Sequence, residues 1–266
     1  MRIERVESLP ALDGLKQRYL EHTSAPLDGM WLHGFVPMAA HFALYDADQL
    51  AGYLCVNDEG YLLQFHVEAA WAARASALFE AFVIHAPALV GPIAGAFVST
   101  AEPRMLSLCL DHYVHFEVHA LMYEFGPSTT TEPLALEPLR AAQLPVAVRF
   151  AVDAIASPEA WVTGYYAQLI ERGELHGVWK EGALIATGEN RAREDLSTPH
   201  ADLGVVVAPA HRGRGLATQI LATLAADNER GGVHSICSTE RDNLAAQGAI
   251  TRAGFVARNR IIRFDA

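Results

Sequence analysis

Apolar and polar positions change period repeatedly along this chain. Residues 42–45 and 50–56 are apolar runs split by the polar turn Asp46-Ala-Asp-Gln, a pattern that predicts a β-hairpin. A strand is predicted over 62–67, then an Ala-rich helix with Leu78, Phe79 and Phe82 on one side. The second half runs through the same order. It offers a hairpin over 175–192, a β-branched strand at Val205, Val206 and Val207, and a helix with Leu216, Ile220, Leu221 and Leu224 on one face. Gly231 and Gly232 mark that helix's end. Residues 97–100 correspond to 236–239, and each half closes on an alternating segment, 116–125 and 258–264. This is a repeat of element order without strong residue identity. Ahead of the second hairpin, residues 133–138 read as an opening strand. Ser157 as N-cap and Pro158 at the first helical position predict a helix to about Gly173.

Between the predicted strand at 205–207 and the helix at 216 lies a loop with glycines at 213 and 215. Strand, glycine loop and helix N-terminus together aim free backbone N–H groups and the positive end of the helix dipole at one point, which suits a phosphate. A Walker-type loop needs Lys followed by Ser or Thr, and none follows Gly215; a dinucleotide fingerprint needs a third glycine where Thr218 stands. What remains, Val207-x-Pro209-x-x-Arg212-Gly213-Arg214-Gly215-Leu216-Ala217, resembles the acyl-CoA-binding signature of the GCN5-related N-acetyltransferases, the GNAT family. Asn243-x-x-Ala246 and Gly254-Phe255 resemble that family's later helix and the opening of its final strands. The resemblance spans residues from about 133 to 266.

Setting Val67 against Val207 puts Ala72 opposite Arg212, Ala75 opposite Gly215 and Ala77 opposite Ala217. A Cβ at position 75 stands where phosphate oxygens must approach backbone, and the arginine's charge is missing. The resemblance therefore implies an α/β (α+β) GNAT fold, a mixed central sheet flanked by helices, in two tandem units. Residues 1–126 form a degenerate unit without a CoA loop, 127–132 a linker, and 133–266 the acetyltransferase unit.

The activity so implied is direct attack of a primary amine on the thioester of acetyl-CoA, with no metal. Val205, Val206, Val207, Arg212, Gly213, Arg214, Gly215, Leu216, Ala217 and Thr218 are the expected CoA-binding residues, with a backbone N–H near Val207 polarising the carbonyl. Asn243 either holds the pantetheine arm or caps the helix that follows. An alkylamine with a pKa of about 10.4 must lose its proton first. Glu189, Asp202 and Glu240 are candidate bases beside His200, and Ser238 or Thr239 a candidate proton donor. Many relatives place a Tyr seven residues after this Asn, where this chain has Ile250. Trp161, Tyr165 and Tyr166 either line the acceptor groove or pack in the core. A CoA-binding sensor without transfer activity is the alternative function.

Composition narrows the partners. Half of the chain is apolar and its net charge is −11, which excludes nucleic acid as the expected partner. The charge is uneven: residues 1–132 carry 6 Lys and Arg against 16 Asp and Glu, and residues 133–266 carry 14 against 15. An acidic protein favours a cationic acceptor, small molecule or peptide. The expectation is a cytoplasmic protein, off the membrane, with a homodimer left open. Cys55, Cys109 and Cys237 are expected as buried free thiols. His115 and His119 share one strand face, too far apart for one metal ion.

Overall fold

The structure, a computed structural model, describes residues 1–126, 134–193 and 199–266. The expected linker at 127–132 and Pro133 lie outside the described residues. Two compact units emerge, one of Met1–Leu121 with Asn259–Ala266, the other of Met122–Arg258.

The first unit contains β1 (Arg2–Arg5), α1 (Asp13–Glu21), α2 (Val36–Met38), β2 (Ala40–Asp46), β3 (Gln49–Val56), β4 (Tyr61–Val67), α3 (Ala75–Phe79), β5 (Gly95–Ser99) and α4 (Pro103–His112). The strand β6 (His115–Phe125) follows. Strands β1 to β4 form an antiparallel meander in which the expected hairpin is β2–β3. β4 then pairs in parallel with β5, but only at Tyr61–Gly95 and Leu62–Ala96. Beyond Leu62 the two strands separate. Leu54, Leu62, Phe65, Phe79 and Val98 share a core with Phe264, which reaches this unit from the end of the chain.

Residues 261–265 pair antiparallel with β5, and this pairing makes Gly95 obligatory. A Cβ there would lie 1.9 Å from the Phe264 carbonyl oxygen, inside van der Waals contact with backbone that cannot swing away. Gly95→Ala is expected to cost at least about 1–3 kcal/mol, the range for overpacking, seen as a lower urea midpoint. Gly164, in a helix of the second unit with open space around it, gives the opposite sign: Gly164→Ala should stabilise by up to about 1 kcal/mol.

The second unit contains β7 (Glu137–Pro138), α5 (Leu144–Ile155), α6 (Glu159–Glu171), β8 (Leu175–Lys180), β9 (Ala183–Arg193), β10 (His200–Val207), α7 (Leu216–Arg230), β11 (His234–Glu240) and α8 (Leu244–Arg252); β12 (Phe255–Asp265) ends the chain. Its strands run in the order β11-β10-β9-β8-β7, antiparallel except for β10 with β11. Strand alternation gives β9 two functions. Thr187, Glu189 and Arg191 face α6, whereas Gly188 lets Ile220 and Leu224 of α7 close onto the other face. Val162, Tyr166 and Leu169 of α6 pack with Ala147 and Val148 of α5 over Leu175 and Leu184.

Two expected boundaries move. Of the described residues in the opening strand expected at 133–138, only Glu137 and Pro138 pair with β8, and Leu139 N–H donates to Leu175 O just beyond them. Helix α6 starts one residue late: Pro158 is the N-cap, with ψ 128°, and no side chain, Ser157 included, caps the helix. Gly173 at φ +70° follows that helix, and Gly232 at φ +73° follows α7, near the expected stops. Among the described residues no helix is long and apolar enough to cross a membrane.

Candidate active site

The second unit's sheet opens at one place. β10 and β11 pair from His200–His234 to Asp202–Ile236 and no further, while β9 accompanies β10 to Val207–Ala186. The closed end is pinned from α7. Asn228 and Asn190 exchange amide hydrogen bonds at 2.9 Å, and Asn228 Nδ2 also donates to Ser235 Oγ at 3.0 Å. At the open end the backbone direction can be worked out. Ala208 N–H donates to Ile185 O at 2.9 Å, so antiparallel alternation turns the N–H groups of Val206 and Gly204 toward β9. Those of Val205 and Val207 face the gap.

At the mouth of this gap stands the glycine loop. Residues Pro209–His211 form one 3-10 turn, Arg212 is extended, and Gly213 and Gly215 take φ of +73° and +79° before α7 begins. Neither glycine has an atom within 4 Å of where a Cβ would sit, so glycine is needed here for its backbone conformation and the loop's concave side stays clear. No side chain caps α7. The first-turn N–H groups of Leu216, Ala217 and Thr218, which no helix can satisfy internally, sit behind the two glycines. Thr218 turns its hydroxyl away, donating to Ala249 O of α8 at 3.2 Å.

The two loop arginines differ. Arg212 Nε donates to Val207 O at 3.0 Å and its Nη2 to Ala154 O at 2.6 Å. The expected charge partner thus braces the loop between β10 and the C-terminus of α5, where the helix dipole favours a cation. Arg214 lies exposed at the tip. The corresponding stretch of the first unit is closed. Ala69–Arg74 winds as a 3-10 helix whose Trp71 and Ala75 N–H groups donate to Glu68 O and Ala72 O, and Ala75 sits at φ −56°.

Beneath α6 the structure gathers two of the catalytic candidates, Glu189 and Asp202, with a residue that sequence reasoning missed. Arg191 Nη1 lies 2.7 Å from Glu189 Oε2 and donates to Tyr165 Oη at 2.7 Å, while Arg191 Nη2 lies 3.0 Å from Asp202 Oδ2. Tyr165 Oη in turn donates to Glu189 Oε2 at 2.6 Å. Both carboxylates are buried, at 6% and 1% exposure, so one guanidinium compensates two charges. Burial disfavours the Arg191 cation, but Asp202 and Glu189 outweigh it and hold its pKa well above the ordinary value. Burial pushes the Tyr165 hydroxyl up, and the Glu189 charge adds to it. The pattern Glu189-x-Arg191 on an otherwise apolar strand was the available signal, since residues two apart share a face.

The other candidates stand on β10, β11 and the approach to α8. Ser238 is half-buried on β11, and Glu240 is exposed at that strand's end. Asn243 caps α8, its Oδ1 accepting from Ala246 N–H at 3.1 Å. Ile250 is buried and brings no hydroxyl to the gap. His200 is buried at the start of β10. Trp161 is half exposed and stacks on Tyr165 with centroids 5.0 Å apart, whereas Tyr166 is buried against Thr187, Oη to Oγ1 3.4 Å. All three cysteines are buried thiols outside any disulfide. Among the described residues no group of His, Cys, Asp or Glu is placed to hold a metal ion.

Comparison with known proteins agrees with this geometry. A family model described as an acetyltransferase (GNAT) domain matches residues 8–125, and one described as the acetyltransferase (GNAT) family matches residues 148–255. No curated protein matches the chain. Among solved structures, an acetyltransferase from the GNAT family from Colwellia psychrerythraea is 42% identical, with 100% of this chain and 99% of that one covered and a TM-score of 0.95. A tandem GNAT protein from the clavulanic acid biosynthesis pathway is 14% identical over 100% of this chain and 98% of its own, with a TM-score of 0.66. A GCN5-related N-acetyltransferase from Sphaerobacter thermophilus, also 14% identical, covers 99% and 95% with a TM-score of 0.61. The last two share the fold.

Proposed function

Because this chain belongs to the GNAT acetyltransferase family, we propose that it is an acetyl-CoA-dependent N-acetyltransferase whose second unit alone holds acetyl-CoA. The observation that carries this reading is the pair of positive-φ glycines, Gly213 and Gly215, opening onto an uncapped α7 at the mouth of the β10–β11 gap. The N–H groups of Gly213 to Thr218 bind the pyrophosphate, with the exposed Arg214 as its charge partner. Arg212 keeps the loop in shape. Acetyl-CoA supplies an activated acetyl thioester, and a primary amine attacks it directly. The N–H groups of Val205 and Val207 stabilise the negative charge that develops on the carbonyl oxygen. A thiolate with a pKa near 8.5 leaves without a protonating Tyr, which fits Ile250 at that slot.

Direct attack is favoured over a cysteine-bound acetyl group. Burial pushes the Cys55 thiol up to about 12, and Cys109 is shifted upward for the same reason, so neither offers a thiolate. Cys237, on β11, is buried as well. Glu189 of β9 packs across the face of the central strand: one of its oxygens would lie 2.8 Å from a Cβ on Gly204. We assign it to receive the ammonium proton through water, with Tyr165 and Arg191 fixing its orientation. The sensor reading draws support from the same residues, since Arg191 neutralises Glu189 and Asp202 and Ile250 donates nothing.

Thiol release from acetyl-CoA across a panel of primary amines separates the two. Transfer predicts amine-dependent release with both substrates present together and no acetyl-protein formed beforehand. Tight CoA binding with no release for any amine at any pH between 6 and 10 would establish the sensor.

A further inference from the structure

The first unit has lost the glycine loop, yet it keeps a cavity of about 320 Å³. That is the size of a small-ligand site, at the lower end of about 300–1,000 Å³. It lies against the half of β4 that β5 does not accompany, where Phe65, His66 and Val67 meet Tyr19 of α1, Ala75 of α3 and Glu102, Met105 and Leu108 at the start of α4. The walls are largely apolar. At its inner side is Glu102, 4% exposed, a carboxylate buried in an apolar surround.

The partners of Glu102 are neutral. Tyr19 donates its hydroxyl to Oε1 and Ser99 its backbone N–H to Oε2. Tyr53 and Cys55 of β3 and Cys109 of α4 are the other titratable groups that feel its charge. Among the described residues no cation touches it. Arg18 is drawn off to Glu68 at 2.6 Å, His66 bonds the same carboxylate at 3.2 Å, and Arg104 is exposed at the rim. His22 completes the lining on the α1 side. A carboxylate accepts about four hydrogen bonds, and two positions remain. Burial pushes Glu102 up to about 7.

We propose that this cavity binds a primary amine with an apolar body, the ammonium resting on Glu102 and the body on Phe65, Val67, Met105 and Leu108. Net charge supports a cation, because the surplus of acidic residues falls in the first half of the chain, 16 against 6 basic. The apolar walls favour a monoamine, since a second ammonium would find no counter-ion inside. The site is independent of the CoA loop and of acetyl transfer.

Calorimetry with hexylamine tests it, using the full chain carrying Gly215→Glu so that the second unit holds no CoA, with the heat assigned to the first-unit cavity by its loss in the variants below. One saturable site is expected, tightening about tenfold from pH 6 to pH 8 as Glu102 loses its proton while the amine keeps its own. Hexan-1-ol should bind at least tenfold more weakly, and Glu102→Gln should abolish the pH dependence together with most of the affinity. Leu108→Trp fills the cavity without altering the carboxylate and should also abolish binding, which decides the matter if Glu102→Gln fails to fold. Absence of saturable heat, equal binding of the alcohol, tighter binding at low pH, or displacement of the amine by CoA would each overturn the proposal.

Discussion

Replacing Arg191 by methionine is expected to destabilise the protein by about 3–5 kcal/mol, the cost of stranding a buried charge. For a unit of this size that lowers the melting temperature by roughly 10 °C. The reason lies in the count of charges: two carboxylates at 6% and 1% exposure share one guanidinium. Removing it takes the guanidinium from both carboxylates, and Tyr165 Oη also loses a donor. The triple variant Glu189→Gln, Arg191→Met, Asp202→Asn should recover most of the loss, because neutral amides cost far less to bury. Thermal unfolding of the two variants side by side checks this. Recovery in the triple variant would show the network to be a balance of charge, and equal loss in both would point to packing.

Gly215→Glu should lower kcat/KM for acetyl-CoA by two to four powers of ten. Two charge-assisted hydrogen bonds to phosphate, at about 1.5–3 kcal/mol each, are lost when a carboxylate occupies their place, and each 1.4 kcal/mol is a factor of ten. The substituted residue must also hold φ +79°, a conformation that costs an ordinary residue about 1–2 kcal/mol. Because nothing lies within 4 Å of the new Cβ, the fold should survive, and the urea midpoint should move by no more than the strain. Gly215→Ala isolates the backbone part and should lose much less than Gly215→Glu.

What could be read from the sequence was local. The order of strands and helices follows from hydrophobic period, and it reappears in both units. The glycine loop follows from the need for positive φ beside a helix N-terminus, a requirement that spans only a few residues. Arg191 was missed because its importance depends on register. Alternation puts it on the same face as Glu189, but only the pairing of Asp202 with Arg191 across β9 and β10 brings the third charge in. Arg212 was read as a phosphate ligand since its brace, the Ala154 carbonyl, lies 58 residues away in the chain. Ser157 looked like a cap by residue type, yet Pro158 took that position with its φ fixed at −58°. Glu102 carried no sequence signal at all. Its interest comes from burial among residues of α1, β3, β4 and α4 that only the fold assembles.

The central claim is that of two similar units only the second holds acetyl-CoA. Titrating the protein with acetyl-CoA in a calorimeter tests it most directly, with Gly215→Glu and the first-unit variant Ala75→Glu run alongside. The account predicts one acetyl-CoA per chain, unchanged in Ala75→Glu and lost in Gly215→Glu. Two per chain, or a single site that survives Gly215→Glu and disappears in Ala75→Glu, would contradict it.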